Sequence, residues 1–369
     1  MKLPDNIYTQ VNTLICKTVT ENLIAKNVLD DYIREKRFNS TIRNALTDYF
    51  FKALRFYGLF SSGHDIENDE TITELIAKTK YNENFPSKII GVNNFVSKKI
   101  FENLDKDTFL SFLQRAPLTI RVNSLKTTRE YLKVKYPFFE NTGISPFGLY
   151  TTKHTNLRQL DEFKKGFFEI QDEASQLIYF LVNPKHSEKI LDMCAGTGGK
   201  TLSLLSTGLS PDIYAYDISF NRLKVLEKRV RLNKFNIKLL KKLSGRYNKV
   251  LIDAPCSGSG SIRRDVDVLL RLNEEKLNNF IANQRELFDK AYHLTEKGGF
   301  VIYVTCSFFK EENEKQVEYF LNNYNIKLVE VSTLFDNHMK KSLQAKTYYK
   351  TNPLLSNMDG FFGAVFKIL

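Results

Sequence analysis

From residue 167 to the end of the chain, short apolar runs alternate with helical patterns, and no other feature restricts the fold as much. Strands are predicted at 167–170, 189–191, 213–216, 237–240, 249–252, 300–304, 326–331 and 363–367, with helices at 173–182, 201–206, 220–233 and 273–294. Strands and helices that alternate with short connections fit a doubly wound, mostly parallel sheet covered on both faces. In such a sheet ligands bind beyond the carboxyl ends of the strands, where the strand order reverses.

The first part of the chain reads differently. Residues 42–59, 71–80, 92–104 and 107–114 place apolar groups three and four apart, so residues 1–110 are predicted to form a helical domain. Leu118-Thr119-Ile120-Arg121-Val122-Asn123 alternates like a strand, 127–135 has helical spacing, and turn residues gather at 141–148. Residues 111–165 are therefore expected to form a small α+β subdomain, and 166–369 the main α/β domain.

Several function classes are excluded by composition. The opening residues lack the apolar stretch of a signal peptide and no run is long enough to span a membrane, so a cytoplasmic protein is expected, with no membrane partner. The four cysteines, at 16, 194, 256 and 306, never form a Cys-x-x-Cys pair, which fits neither a zinc site nor a disulfide framework. No metal is expected. A net charge of +12 points to a polyanion, most often nucleic acid. No Arg-rich or low-complexity tail is present, so the binding surface has to come from folded parts.

Three places at predicted strand ends carry the chemistry. The first is the turn Asp192-Met193-Cys194-Ala195-Gly196-Thr197-Gly198-Gly199-Lys200-Thr201. Its glycines allow a tight bend and close backbone approach to a ligand, and the helix that follows offers unpaired N–H groups. Gly199-Lys200-Thr201 imitates a phosphate-binding loop, but that motif needs a glycine at position 194, which is Cys194. Asp217 ends the next strand about twenty residues on, where a carboxylate can accept from both hydroxyls of an adenosine ribose. Both a nicotinamide cofactor and S-adenosylmethionine carry that ribose.

The other two places are Asp253-Ala254-Pro255-Cys256-Ser257-Gly258 and Val304-Thr305-Cys306-Ser307. Hydride transfer has no use for two thiols, whereas methylation of an unreactive ring carbon does. Carbon 5 of cytosine becomes nucleophilic only after a thiolate adds at carbon 6, so one cysteine has to bond covalently. The adduct must then lose its carbon 5 proton and expel the thiolate, a task for the second group. Asp253 is suited to hydrogen-bond the ring edge and assist protonation at nitrogen 3. A single buried cysteine is usually a small core residue. Two at parallel strand ends beside a glycine turn favour the chemical reading.

Residues 192–201, Asp253-Ala254-Pro255-Cys256-Ser257-Gly258-Ser259-Gly260 and Thr305-Cys306-Ser307 together resemble the RNA cytosine-5 methyltransferases of the RsmB (Fmu/Sun) type. The likeness extends to Gly166-Phe167-Phe168-Glu169-Ile170-Gln171-Asp172-Glu173-Ala174-Ser175, to Ile120-Arg121-Val122-Asn123 and to the closing Met358-Asp359-Gly360-Phe361-Phe362, and so covers about 116–369. It implies a Rossmann-like methyltransferase domain that uses S-adenosyl-L-methionine. It implies Cys306 as nucleophile, Cys256 as the residue aiding product release, and Asp253 set between donor and base. The donor would lie against Cys194, Ala195, Gly196, Thr197, Gly198, Gly199 and Lys200, with Asp217 on its ribose. Arg121 and Asn123 of the small subdomain and the Arg263-Arg264 pair would meet RNA, and the helical segment resembles the NusB-like domain that such proteins often carry.

Three departures stand out. The family's Ala-Pro-Gly-Gly is here Ala195-Gly196-Thr197-Gly198-Gly199, the acidic residue near the adenine is replaced by Lys241-Lys242-Leu243-Ser244, and Val266 stands where a proline precedes Asp267. The implied substrate is small-subunit rRNA first and tRNA second, with rRNA processing as the setting and no protein partner inferred. A non-catalytic RNA-binding assembly factor on the same fold is the alternative, which the retention of both Cys256 and Cys306 disfavours. A cytosine inside a duplex hides carbon 6, so the base has to be single-stranded or flipped out.

Overall fold

A computed structural model describes residues 7–56, 92–153 and 155–369. The helix predicted at 71–80 and the end of the one at 42–59 lie outside the described residues. The chain divides into two compact units, Met1–Arg115 with Ser257–Asn278, and Ala116–Cys256 with Asn279–Leu369.

The first unit is helical among its described residues, with α1 (Ile7–Thr20), α2 (Ala25–Lys36), α3 (Ser40–Phe56), α4 (Asn94–Asn103) and α5 (Lys106–Phe112). In α1 the buried residues Ile7, Val11, Leu14, Ile15 and Thr18 make one stripe at helical spacing. They pack with Val28 and Leu29 of α2 and with Leu46, Phe50 and Leu54 of α3. Val266 belongs to the same cluster. The segment after Cys256, predicted as part of the α/β domain, thus completes this helical core instead. The N-terminus of α2 has no side-chain cap of its own, and Asp267 Oδ2 accepts the Ala25 N–H at 3.2 Å in its place.

In the second unit a small antiparallel sheet has the order β2-β3-β1-β4, with β1 Leu118–Val122, β2 Glu140–Asn141, β3 Gly148–Thr151 and β4 Phe168–Ile170. Helix α6 (Arg129–Lys135) follows β1. Ile120 and Val122 point into a core with Phe139, Leu149 and Phe168, as the two-residue period of a strand requires. Residues 168–170 therefore pair antiparallel with β1 and are not a strand of the large sheet, as the alternation had implied.

The large sheet runs β10-β12-β9-β8-β5-β6-β7, with β11 paired to β12. Its strands are β5 Lys189–Asp192, β6 Asp212–Ala215, β7 Ile237–Leu239, β8 Tyr247–Asp253, β9 Thr295–Thr305, β10 Ile326–Val329, β11 Tyr349–Lys350 and β12 Phe362–Ile368. Strands β5 to β9 pair in parallel, whereas β12 runs antiparallel to β9 and β10. Helices α7 (Glu173–Val182), α8 (Gly199–Leu205), α9 (Phe220–Asn233), α10 (Glu274–Leu294) and α11 (Glu314–Asn323) accompany these strands. Val250, Leu251 and Ile252 of β8 and Ile190 and Leu191 of β5 are wholly buried, the continuous apolar run expected of strands covered on both faces. The order reverses at β5, which has β6 on one side and β8 on the other, so a crevice opens at its carboxyl end. Among the described residues no helix is long and apolar enough to cross a membrane.

Candidate active site

Strand β5 delivers the glycine turn to that crevice. Three backbone bonds hold the turn: Met193 N–H to Leu251 O at 2.9 Å, Ala195 N–H to Tyr216 O at 2.9 Å, and Gly198 N–H to Ala195 O at 2.8 Å. Gly198 sits at φ +93°, and a side-chain carbon there would stand 2.2 Å from Leu226 Cδ1, so only glycine fits. Gly196, at φ +55°, has no atom within 4 Å of where such a carbon would be, so the turn is open on that side. Arg229 of α9 anchors the intervening Thr197, donating to its carbonyl at 2.5 Å and to Glu169 at 2.6 Å.

Asp192, at the end of β5, is 1% exposed. Its Oδ2 accepts from the Thr201 hydroxyl at 2.7 Å, while its Oδ1 has no hydrogen-bond partner. Burial pushes this carboxyl up from 3.8 to about 7, with Asp253 adding to the rise. Cys194 is also pushed well up, first by burial and then by the carboxylates of Asp192, Asp253 and Asp217. It stays a protonated thiol and forms part of the turn.

The Asp217 carboxylate is buried and already busy. Oδ2 accepts the Gly196 N–H at 2.9 Å, and Oδ1 accepts the Ser219 N–H at 2.7 Å and pairs with Arg222 at 2.9 Å. A carboxylate has about four acceptor sites, so a ligand with two hydroxyls needs the half-exposed Arg222 to move aside.

Strands β8 and β9 supply the reactive groups. Ala254 N–H bonds to Val304 O at 2.8 Å as the two chains leave the sheet together. Just beyond, Cys256 Sγ and Cys306 Sγ lie 3.4 Å apart, both partly exposed and neither in a disulfide. Asp253 accepts from the Lys200 ammonium at 2.7 Å. Burial alone would depress Lys200, but Asp253 outweighs it, with further help from Cys306 and Asp192, and its pKa ends raised. Lys200 also stands 5.2 Å from the Phe361 ring. The Asp253 side chain is partly exposed and pairs with that ammonium.

Side chains outside the two Cys motifs clamp the loops. Gln284 of α10 donates to Pro255 O at 3.1 Å. Asn313 accepts from the Thr305 hydroxyl at 2.6 Å and donates to Ser307 O at 2.9 Å. Neither residue belonged to a recognisable motif. Gln284 stands well away from Pro255 in sequence, and Asn313, although near Cys306, sits in a polar run, so neither burial was legible beforehand.

The residues assigned to RNA fare differently. Arg121 is 2% exposed; its Nε donates to Gln171 Oε1 at 2.7 Å and one Nη donates to Ser206 Oγ. Burial lowers its pKa to about 10. Asn123 is buried as well, donating to Gly166 O at 3.2 Å and Asn233 Oδ1 at 3.1 Å. Arg263 is buried within the helical unit, on the carbonyls of Gln114 at 3.3 Å and Arg115 at 3.2 Å. These three tie the fold together, because their donors are directed to protein acceptors and shielded from any phosphate. Arg264 alone of the four is exposed.

A family model described as 16S rRNA methyltransferase RsmB/F matches residues 179–367. The chain belongs to that family. A 28S rRNA (cytosine-C(5))-methyltransferase of Mus musculus is 29% identical over 308 residues, 74% of this chain and 38% of that protein. Ribosomal RNA small subunit methyltransferase B of Pectobacterium carotovorum subsp. carotovorum is 33% identical over 230 residues, 57% of this chain and 52% of the relative. The chain thus spans about half or less of the length of these relatives. Among solved structures, PH0851 shares the fold over 99% of both chains at 23% identity and a TM-score of 0.74. A methyltransferase homolog from Pyrococcus horikoshii matches with a TM-score of 0.63 at 24% identity, over 76% of this chain and 96% of its own.

Proposed function

We propose that this chain transfers a methyl group from S-adenosylmethionine to carbon 5 of a cytosine in RNA, with small-subunit rRNA as the substrate. The observation that carries the reading is the pair of thiols 3.4 Å apart at the ends of neighbouring strands, with the Asp253–Lys200 pair and the β5 turn beside them. The family membership supports the same activity, as do the cytosine-C(5) and small-subunit names of the relatives.

The residues present fit the donor. The open side of Gly196 leaves room for backbone approach, and Asp217, bonded to the Gly196 N–H, is beside it for the ribose hydroxyls once Arg222 moves aside. Ile218 and Phe220, 88% and 64% exposed, offer apolar surface for a purine where the family's acidic residue is missing. When bound, S-adenosylmethionine supplies an electrophilic methyl group on a sulfonium.

The chain's own groups do the rest. Cys306 as thiolate adds to carbon 6 of the ring, which makes carbon 5 nucleophilic. Lys200 holds Asp253 in place through their ion pair, and Asp253 holds the amino edge of the base. After transfer, Cys256 assists loss of the carbon 5 proton and departure of Cys306 from carbon 6.

Bisulfite sequencing of total RNA from cells lacking the protein tests the assignment. One cytosine of small-subunit rRNA should lose its modification. Loss at a large-subunit or tRNA position instead would overturn the substrate class. An unchanged map, with no transfer from tritiated donor to bound RNA, would favour the non-catalytic assembly factor.

A further inference from the structure

The geometry points to Cys256 and Cys306 as a peroxide-sensitive modification site that closes reversibly into an intramolecular disulfide. The two residues leave adjacent parallel strands, joined at Ala254 N–H to Val304 O. Both residues lie just past the last paired residues of β8 and β9, where the two chains run side by side. Their sulfurs are 3.4 Å apart, so closure to a bond of about 2.05 Å needs an approach of roughly 1.4 Å. Because both residues lie beyond the paired ends of β8 and β9, that approach draws on side-chain rotation and the loops and leaves the ladder intact. Both thiols are partly exposed, as access by a small oxidant requires. Cys194 has no such neighbour and is held protonated by burial.

The oxidant is hydrogen peroxide and the steps balance. The Cys306 thiolate attacks one peroxide oxygen, the O–O bond breaks, and hydroxide leaves, giving a sulfenic acid. The Cys256 thiol then attacks that sulfur, the S–S bond forms as the S–O bond breaks, and the departing hydroxide takes the thiol proton as water. The first hydroxide takes up the proton that Cys306 lost on ionising, so two thiols are oxidised and one peroxide is reduced to two waters. A dithiol such as dithiothreitol reverses the bond by exchange. The resolving thiol is already in contact, so closure outruns further oxidation of Cys306 to the sulfinic acid.

The chemistry itself does not depend on methyl transfer, although its consequence for activity rests on the function proposed above. The full-length protein is treated with hydrogen peroxide, and its intact mass, its alkylatable thiols and its proteolytic peptides are measured before and after dithiothreitol. The expected result is a mass loss of two hydrogens, protection of two of the four thiols, and one cross-linked peptide joining Cys256 to Cys306. All three changes should reverse with dithiothreitol. A gain of one or more oxygens at either residue with no cross-linked peptide would overturn the proposal, as would a cross-link through Cys16 or Cys194. Methyl transfer measured in parallel should fall more than about ten-fold on oxidation and recover on reduction. A cross-link that forms in protein showing no transfer even when reduced would leave this inference standing and sink the activity.

Discussion

Asp253 at the large sheet's edge and Arg121 and Asn123 beside the small sheet are all polar groups next to strands, yet they end in opposite situations. Asp253 is about a third exposed, and its partner Lys200 is held on the crevice side of the β5 turn. Arg121 and Asn123 are sealed, with their donors directed to Gln171, Ser206, Gly166 and Asn233. The difference lies in the second layer. Carboxyl ends of parallel strands open onto a crevice where the order reverses, whereas the second face of β1 is covered as well and every polar group there must find a partner inside. Asp253 keeps a solvent-facing end because β8 stops at the crevice, and Arg121 has none.

Substitutions at the two places should therefore fail in different ways. Cys306→Ala should lower methyl transfer by more than about 10⁴-fold with folding unchanged, and Cys256→Ala should trap RNA in a complex that survives a denaturing gel. Trapping by Cys306→Ala instead would exchange their roles. Asp192, buried behind the turn, tests the pH side of the contrast. Its carboxyl is raised from 3.8 to about 7, so the folded chain binds that proton more tightly than the unfolded chain. The resulting stability is fully present below about pH 4 and is lost as pH rises through about 7, a change of a few kcal/mol at most. Asp192→Asn should flatten that slope in thermal melts between those values, and an unaltered slope would show that Asp192 does not titrate there.

Arg121→Met leaves buried acceptors without donors and should cost about 3 kcal/mol in denaturant unfolding. RNA affinity of the folded fraction should be unchanged; selective loss of RNA binding with normal stability would reinstate Arg121 as a phosphate contact. Lys200→Met should do the reverse, lowering transfer about 100-fold while the melting temperature moves little. The smallest change is expected at Arg222, which competes for Asp217. Arg222→Ala should alter the KM for donor less than about three-fold, whereas Asp217→Ala should raise it more than about ten-fold; equal effects would mean that Arg222 itself contacts the donor.

The glycine turn, the two Cys motifs and the strand alternation were legible because each is local: a positive φ demands glycine, and an apolar run bounded by turn residues demands a buried strand. Helices α7 and α9 fall where spacing put them, at 173–182 and 220–233. What stayed hidden were pairings between distant segments. Residues 168–170 read as another strand of the large sheet because an apolar run carries no label for its partner. The clamp by Gln284, and the packing of Val266 among helices more than 200 positions earlier, have no local signature.

The sequence by itself determined that a doubly wound α/β domain would bring one glycine turn and two thiols to the same sheet edge, since periodicity and short connections leave little choice of topology. Only the tertiary structure decided that the sulfurs touch at 3.4 Å, that Lys200 pairs with Asp253, and that Arg121, Asn123 and Arg263 are internal ties. The reason is physical: periodicity fixes which face of an element is apolar, but burial and pairing of a polar group depend on what the rest of the chain lays against it.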